Sequence, residues 1–74
     1  MNADLLENIK ALLDFHKIPR NIQPRVDYLS QNCACDAGEV EKFLLGESNL
    51  SKGIIKNIAD FFEVDLFWLL GKTQ

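Results

Sequence analysis

"CACDAGEVEKFLLGES", residues 33–48, decides how the rest of the chain is read. Its first part has the small, tight character of a turn, and its second part starts a helix. Asp36 followed three residues later by Glu39 is the acidic variant of a capping box. Val40, Phe43 and Leu44 then recur at helical spacing, and Gly46 supplies a left-handed stop. The same stretch poses a problem of charge. From residue 36 to residue 47 it carries Asp36, Glu39, Glu41 and Glu47 against Lys42 alone, four acids and one base, or −3. Asp36 and Glu39 fall in the first turn, where the helix dipole and free backbone N–H groups stabilise anions, so two of the four have a structural reason to be there.

On either side the charge reverses. Lys17, Arg20 and Arg25 have no acid among them across residues 17–25, and Lys52 and Lys56 have none across residues 48–59. The whole-chain charge of −3 is therefore a poor summary of the surface.

Working outward, the chain shows short amphipathic helices and no period-two alternation long enough for a strand. A first helix is expected from about residue 4 to residue 17, with Leu5, Ile9, Leu12, Leu13 and Phe15 as its apolar stripe and Pro19 as its stop. Asn21 is a suitable N-cap for a second helix. Pro24 is tolerated in its first turn, and Ile22, Val26, Leu29 and Cys33 line one face until about Asn32. A fourth helix follows Ser51, burying Ile54, Ile55, Ile58 and Phe62. Asp65 caps a short fifth, "LFWLL", which Gly71 closes. The expectation is an all-α fold, a compact bundle of five helices forming a single domain over residues 1–74.

Seventy-four residues can bury only about 60% of the surface of the unfolded chain, so the stability margin is thin. No apolar run reaches the ~20 residues that cross a bilayer, and the acidic N-terminus does not read as a signal peptide. A soluble, cytoplasmic protein is expected. Cys33, Cys35 and the distant His16 cannot supply four zinc ligands, and cysteines two apart seldom meet disulfide geometry. Both cysteines are expected to be reduced and to pack as small hydrophobes. His16 lies where a positive charge suits the helix C-terminus. No nucleophile–base pair, carboxylate dyad or phosphate-binding glycine loop is present, so no enzyme activity, metal or cofactor is expected.

Helices two and three carry the functional reading. Small Ser30 and Ala34 permit a close crossing and a tight turn, with Leu29, Cys33 and Cys35 as the plug beneath. This arrangement resembles the helix-turn-helix (about residues 22–45) of the lambda-repressor-like, Cro-type DNA-binding domains, the xenobiotic-response-element family. The tail "NLSKGIIKNIADFFEVDLFWLLGK", residues 49–72, is similar to that family's closing pattern. There "IA" precedes an apolar pair, then Val, an N-cap and "WLLG", an ending frequent in phage-type repressors. The resemblance covers nearly the whole chain. It departs at Ala34, where the family usually has Gly, and in "IPRNIQPR", about one turn longer than usual. It also departs at "LLG", where Glu-x-Gly is frequent.

The resemblance implies a repressor-type, sequence-specific regulator of transcription that binds double-stranded DNA as a homodimer. The third helix would enter the major groove, offering Asp36, Ala37, Gly38, Glu41, Lys42 and Leu45, where the family usually shows Ser, Thr, Gln, Asn or Arg. Glu41 would accept from cytosine N4, and Lys42 would reach guanine or a phosphate. Arg20, Arg25, Asn49, Ser51, Lys52 and Lys56 would hold phosphates. Phe67 and Trp68, in a run of four apolar residues that cannot all face one core, would form the dimer surface. Two alternatives stay open. One is a module that has kept the fold and given up DNA, its acidic third helix engaging a basic protein partner in the manner of an antirepressor or antitoxin. The other is the N-terminal part of a longer repressor.

Overall fold

A computed structural model describes residues 3–71. Among these the chain is all-helical, with no strand: α1 (Ala3–Phe15), α2 (Ile22–Asn32), α3 (Ala37–Leu44), α4 (Lys52–Phe62) and α5 (Leu66–Leu69). The radius of gyration is 11.1 Å, which matches the ~11 Å of a compact domain of this length. The expectation of a compact all-α protein of five helices holds.

The core forms because each helix presents a stripe at 3.6-residue spacing. α1 contributes Leu5, Ile9 and Leu13, α2 contributes Val26 and Leu29, and α3 contributes Val40, Phe43 and Leu44. Ile55, Ile58 and Ala59 of α4 and Leu69 of α5 complete it, together with Cys33 and Leu50 from the connections. Phe43 is the largest fully buried side chain.

Two expectations for α1 need correction. The helix ends at Phe15 rather than at residue 17. Lys17 adopts φ +61, its N–H bonds Asp14 O at 3.0 Å, and the N–H of Ile18 bonds Leu13 O at 2.9 Å. This is a Schellman close, so the backbone has already turned out of the helix before Pro19 is reached. Phe15 is not part of the buried stripe but is 80% exposed. At 3.6 residues per turn it stands about 200° round the helix from Leu13. α4 closes in the same way on Glu63 (φ +57), and α3 on Gly46 (φ +81).

α5 is pinned to α1. Asn8 Nδ2 donates to Trp68 O at 2.9 Å and to Leu69 O at 3.2 Å. Gly71, at φ +77, lies so close to α1 that a Cβ there would fall 2.4 Å from Asp4 Cβ.

Candidate nucleic-acid interface

The α2–α3 connection is held from two directions. Asn57 Nδ2 of α4 donates to Cys33 O at 3.2 Å, and Cys35 Sγ donates to Leu29 O at 3.4 Å. Ala34 takes φ +52, the left-handed conformation in which Gly is the usual residue. Burial pushes the Cys33 thiol up to about 11, helped by neighbouring Cys35. Cys35 is raised by burial, then by Glu39 and Asp36. Both remain neutral thiols, suited to packing rather than to nucleophilic chemistry. Among the described residues no three His, Cys, Asp or Glu side chains are grouped to hold a metal ion.

Asp36 caps α3, its carboxylate accepting from Glu39 N–H at 3.0 Å. With Val40, Phe43 and Leu44 locked inward, Ala37, Gly38, Glu41, Lys42 and Leu45 are all exposed, as is Asp36. Only half of the expected capping box forms. The Glu39 carboxylate accepts from Ser51 N–H at 3.3 Å instead, joining the start of α3 to the N-cap of α4. Asp36 and Glu39 are both engaged with backbone N–H groups, and the six exposed positions Asp36, Ala37, Gly38, Glu41, Lys42 and Leu45 carry two acids against one base, a net −1.

The cations divide differently from the sequence expectation. Arg25 is not a surface residue; it is 5% exposed. Its Nε donates to Pro19 O at 2.9 Å, and its Nη2 to Ile18 O at 3.0 Å and to the Asp14 carboxylate. The guanidinium thus stitches the α1–α2 connection together and has no free face for a phosphate. The pattern contained a signal for this, because position 25, three residues after Ile22 and four before Leu29, borders the apolar face of α2. Asp14 carries the counterpart effect. The hydrogen bond from Arg25 holds its carboxyl below the usual range, with Arg20 adding to the attraction.

Arg20 is exposed, 3.5 Å from Asp14. Lys52 is exposed with no ion pair among the described residues, and Lys56 is exposed and paired with Asp60 at 3.3 Å. Pairs of this exposure hold weakly, by about 0–1 kcal/mol, so either cation can exchange its partner for another anion. Asn49 and Ser51 are exposed in the segment that Glu39 ties beside α3.

The helix N-termini show one further regularity. α3 and α5 are closed by their own carboxylates, Asp65 accepting from the N–H groups of Phe67 and Trp68. α2 and α4 have N-caps, Asn21 and Ser51, whose side chains make no cap hydrogen bond, and neither has an acid in its first turn. Their first N–H groups are left for another acceptor. Sequence reasoning expected Asn21 and Ser51 to cap by side chain and so missed this pattern.

Phe67 and Trp68, 54% and 45% exposed, project from α5. Among the described residues no helix is long and apolar enough to cross a membrane. No protein-family profile matches the chain, and neither a curated protein nor a solved structure matches it.

Proposed function

We propose that this protein is a sequence-specific, DNA-binding regulator of transcription, with a lambda-repressor-like helix-turn-helix formed by α2 and α3. It acts in the cytoplasm as a homodimer. The observation that carries the reading is the contrast among helix N-termini. The two helices that the family resemblance assigns to phosphates, α2 and α4, are, among the described N-caps, the two whose side chains accept no hydrogen bond from their own first turns. α3, assigned to bases, is closed by its own Asp36.

In this reading the first N–H groups of α2 and α4 meet phosphate oxygens at the positive ends of their dipoles. Arg20, Asn49, Ser51, Lys52 and Lys56 add contacts on both sides of the groove. Glu41 accepts from cytosine N4 and Lys42 donates to guanine, while Ala37, Gly38 and Leu45 allow close approach or touch a thymine methyl. Phe67 and Trp68 join the subunits so that two α3 helices reach half-sites about 34 Å apart.

The test is a selection of bound duplexes followed by salt titration. Three cationic contacts per subunit, six per dimer, give a log–log slope of about −5. A flat slope, or no binding at low salt, overturns the proposal. Glu41→Ala should relax preference at one base pair by about 1–3 kcal/mol.

A second reading gains support from the sequestration of Arg25, which removes one expected phosphate contact. In it the scaffold serves as a docking module, and Glu41 and Glu47 meet a basic protein. Affinity capture from host extract separates the two. DNA recovered without a stoichiometric protein partner excludes the docking module.

A further inference from the structure

We propose that the groove between the start of α4 and α5 is a binding site for a medium-chain carboxylate. The alkyl chain would lie on leucine side chains and the carboxylate on Lys52. The groove encloses ≈ 510 Å³, within the ~300–1,000 Å³ range of small-molecule sites. Leu5 of α1, Leu50 of the preceding loop and Ile55 of α4 form its base, and Leu66 and Leu70 of α5 its outer wall. That wall is fixed in advance by the two hydrogen bonds from Asn8 and by the close approach of Gly71 to Asp4. Among the described residues no acidic side chain lines the groove, and its polar lining comes from Asn49 and Lys52.

The chemistry of the occupant follows from that division. Five aliphatic side chains select a flexible hydrocarbon over an aromatic or polar ligand. A single lysine selects a single negative charge. Of the cations proposed to hold phosphates, Arg20 is paired with Asp14 and Lys56 with Asp60, whereas Lys52 has no ion pair among the described residues. Glu39, tied beside the groove's polar end, is engaged with Ser51 N–H. The first turn of α4 beside Lys52 carries N–H groups that no side chain caps. The groove is thus apolar along its length and cationic at one end. A medium-chain monocarboxylate has the complementary distribution.

Binding itself does not depend on the DNA reading, but one consequence does. Lys52 and Ser51 are among the proposed phosphate contacts, so a carboxylate on Lys52 would compete with the duplex. The ligand would release the regulator from DNA.

The experiment is a methyl-detected NMR titration of the full chain with decanoate below its micellar concentration. Saturable shifts are expected at Leu5, Leu50, Ile55, Leu66 and Leu70, with Val40 unmoved. Affinity should rise about fourfold per methylene from octanoate to decanoate. It should fall about tenfold for decanol, or for decanoate with Lys52→Gln, an exposed substitution that leaves the core intact. Non-saturable shifts, shifts centred on Phe15 and Phe61, equal affinity for decanol, or an equal response to phosphatidylglycerol vesicles would each overturn the site. In a parallel arm decanoate should weaken duplex binding by the wild-type protein and not by K52Q. Saturable decanoate binding by a protein that never binds DNA keeps the groove and removes the regulator. DNA binding without decanoate binding does the reverse.

Discussion

Replacing Arg25 with Ala tests the largest difference between the charge pattern and the folded protein. Read as a string, Arg25 belongs to a basic flank; in the structure it is a buried staple. Arg25→Ala removes the donors to Ile18 O and Pro19 O. Both bonds are part-buried, so each unpaired carbonyl costs about 1 kcal/mol, the low end of the usual range. Loss of the packed aliphatic stem adds about 1 kcal/mol. Asp14 faces water and rehydrates, and it is left out of the sum. The expected loss is ~3 kcal/mol, or about 12–24 °C in Tm for a domain of this size. Arg20→Ala, at a side chain 85% exposed, should change stability by less than ~0.5 kcal/mol. Urea melts measure both, and Arg25→Met, which keeps much of the stem, should recover part of the loss. Salt titration of DNA binding, at a temperature where all variants are folded, supplies the complementary readout. Arg20→Ala should reduce the slope by about 1 per subunit, and Arg25→Ala should leave it unchanged. An Arg25→Ala protein as stable as wild type but with a shallower slope would refute the assignment of Arg25 to the interior.

Three other outcomes are expected. The pKa of Asp14 is depressed in the fold by the Arg25 hydrogen bond, so its contribution is present above the ordinary 3.8 and is lost as pH falls through the lower folded value. Acid titration of stability should therefore be steeper for wild type than for Arg25→Ala. Gly46 and Gly71 share a positive φ but differ in surroundings, nothing lying within 4 Å of a Cβ at Gly46. Gly46→Ala should cost ~1 kcal/mol, whereas Gly71→Ala should cost more and reduce hydrogen-exchange protection in α5. The Cys33 thiol, raised to about 11 by burial, should react slowly with a disulfide reagent at pH 8 and rapidly in urea. Its neutral-state contribution is complete below the ordinary 9.0 and is lost as pH rises through about 11.

Much of the architecture was legible because helices are specified by nearby residues. Asp36, Gly46, Asp65 and Gly71 marked their boundaries correctly, since caps depend on neighbours within one turn. Stripes such as Leu5–Ile9–Leu13 and Val26–Leu29–Cys33 named the core, since a 3.6-residue period needs no knowledge of the partner helix. The outward set Ala37, Gly38, Glu41, Lys42 and Leu45 followed by subtraction once Val40, Phe43 and Leu44 were assigned inward. The end of α1 was less legible. Its stop was assigned to Pro19, but the chain turns at Lys17, which reaches a left-handed conformation with no glycine to announce it.

What lay beyond the string were the long-range partners of polar side chains. Sequence alone showed how many charges there are and in what order; it could not show that Arg25 spends its guanidinium on two carbonyls and Asp14. Nor could it show that Glu39 turns from its own helix to Ser51, twelve residues away. A hydrophobic stripe has one favourable direction, into the core, whichever apolar neighbour it meets there. A charged group has several acceptors of similar strength, and only the folded chain decides which of them comes within 3 Å. The number and order of charges in this protein are therefore a matter of sequence, while the partners those charges meet are a matter of tertiary structure.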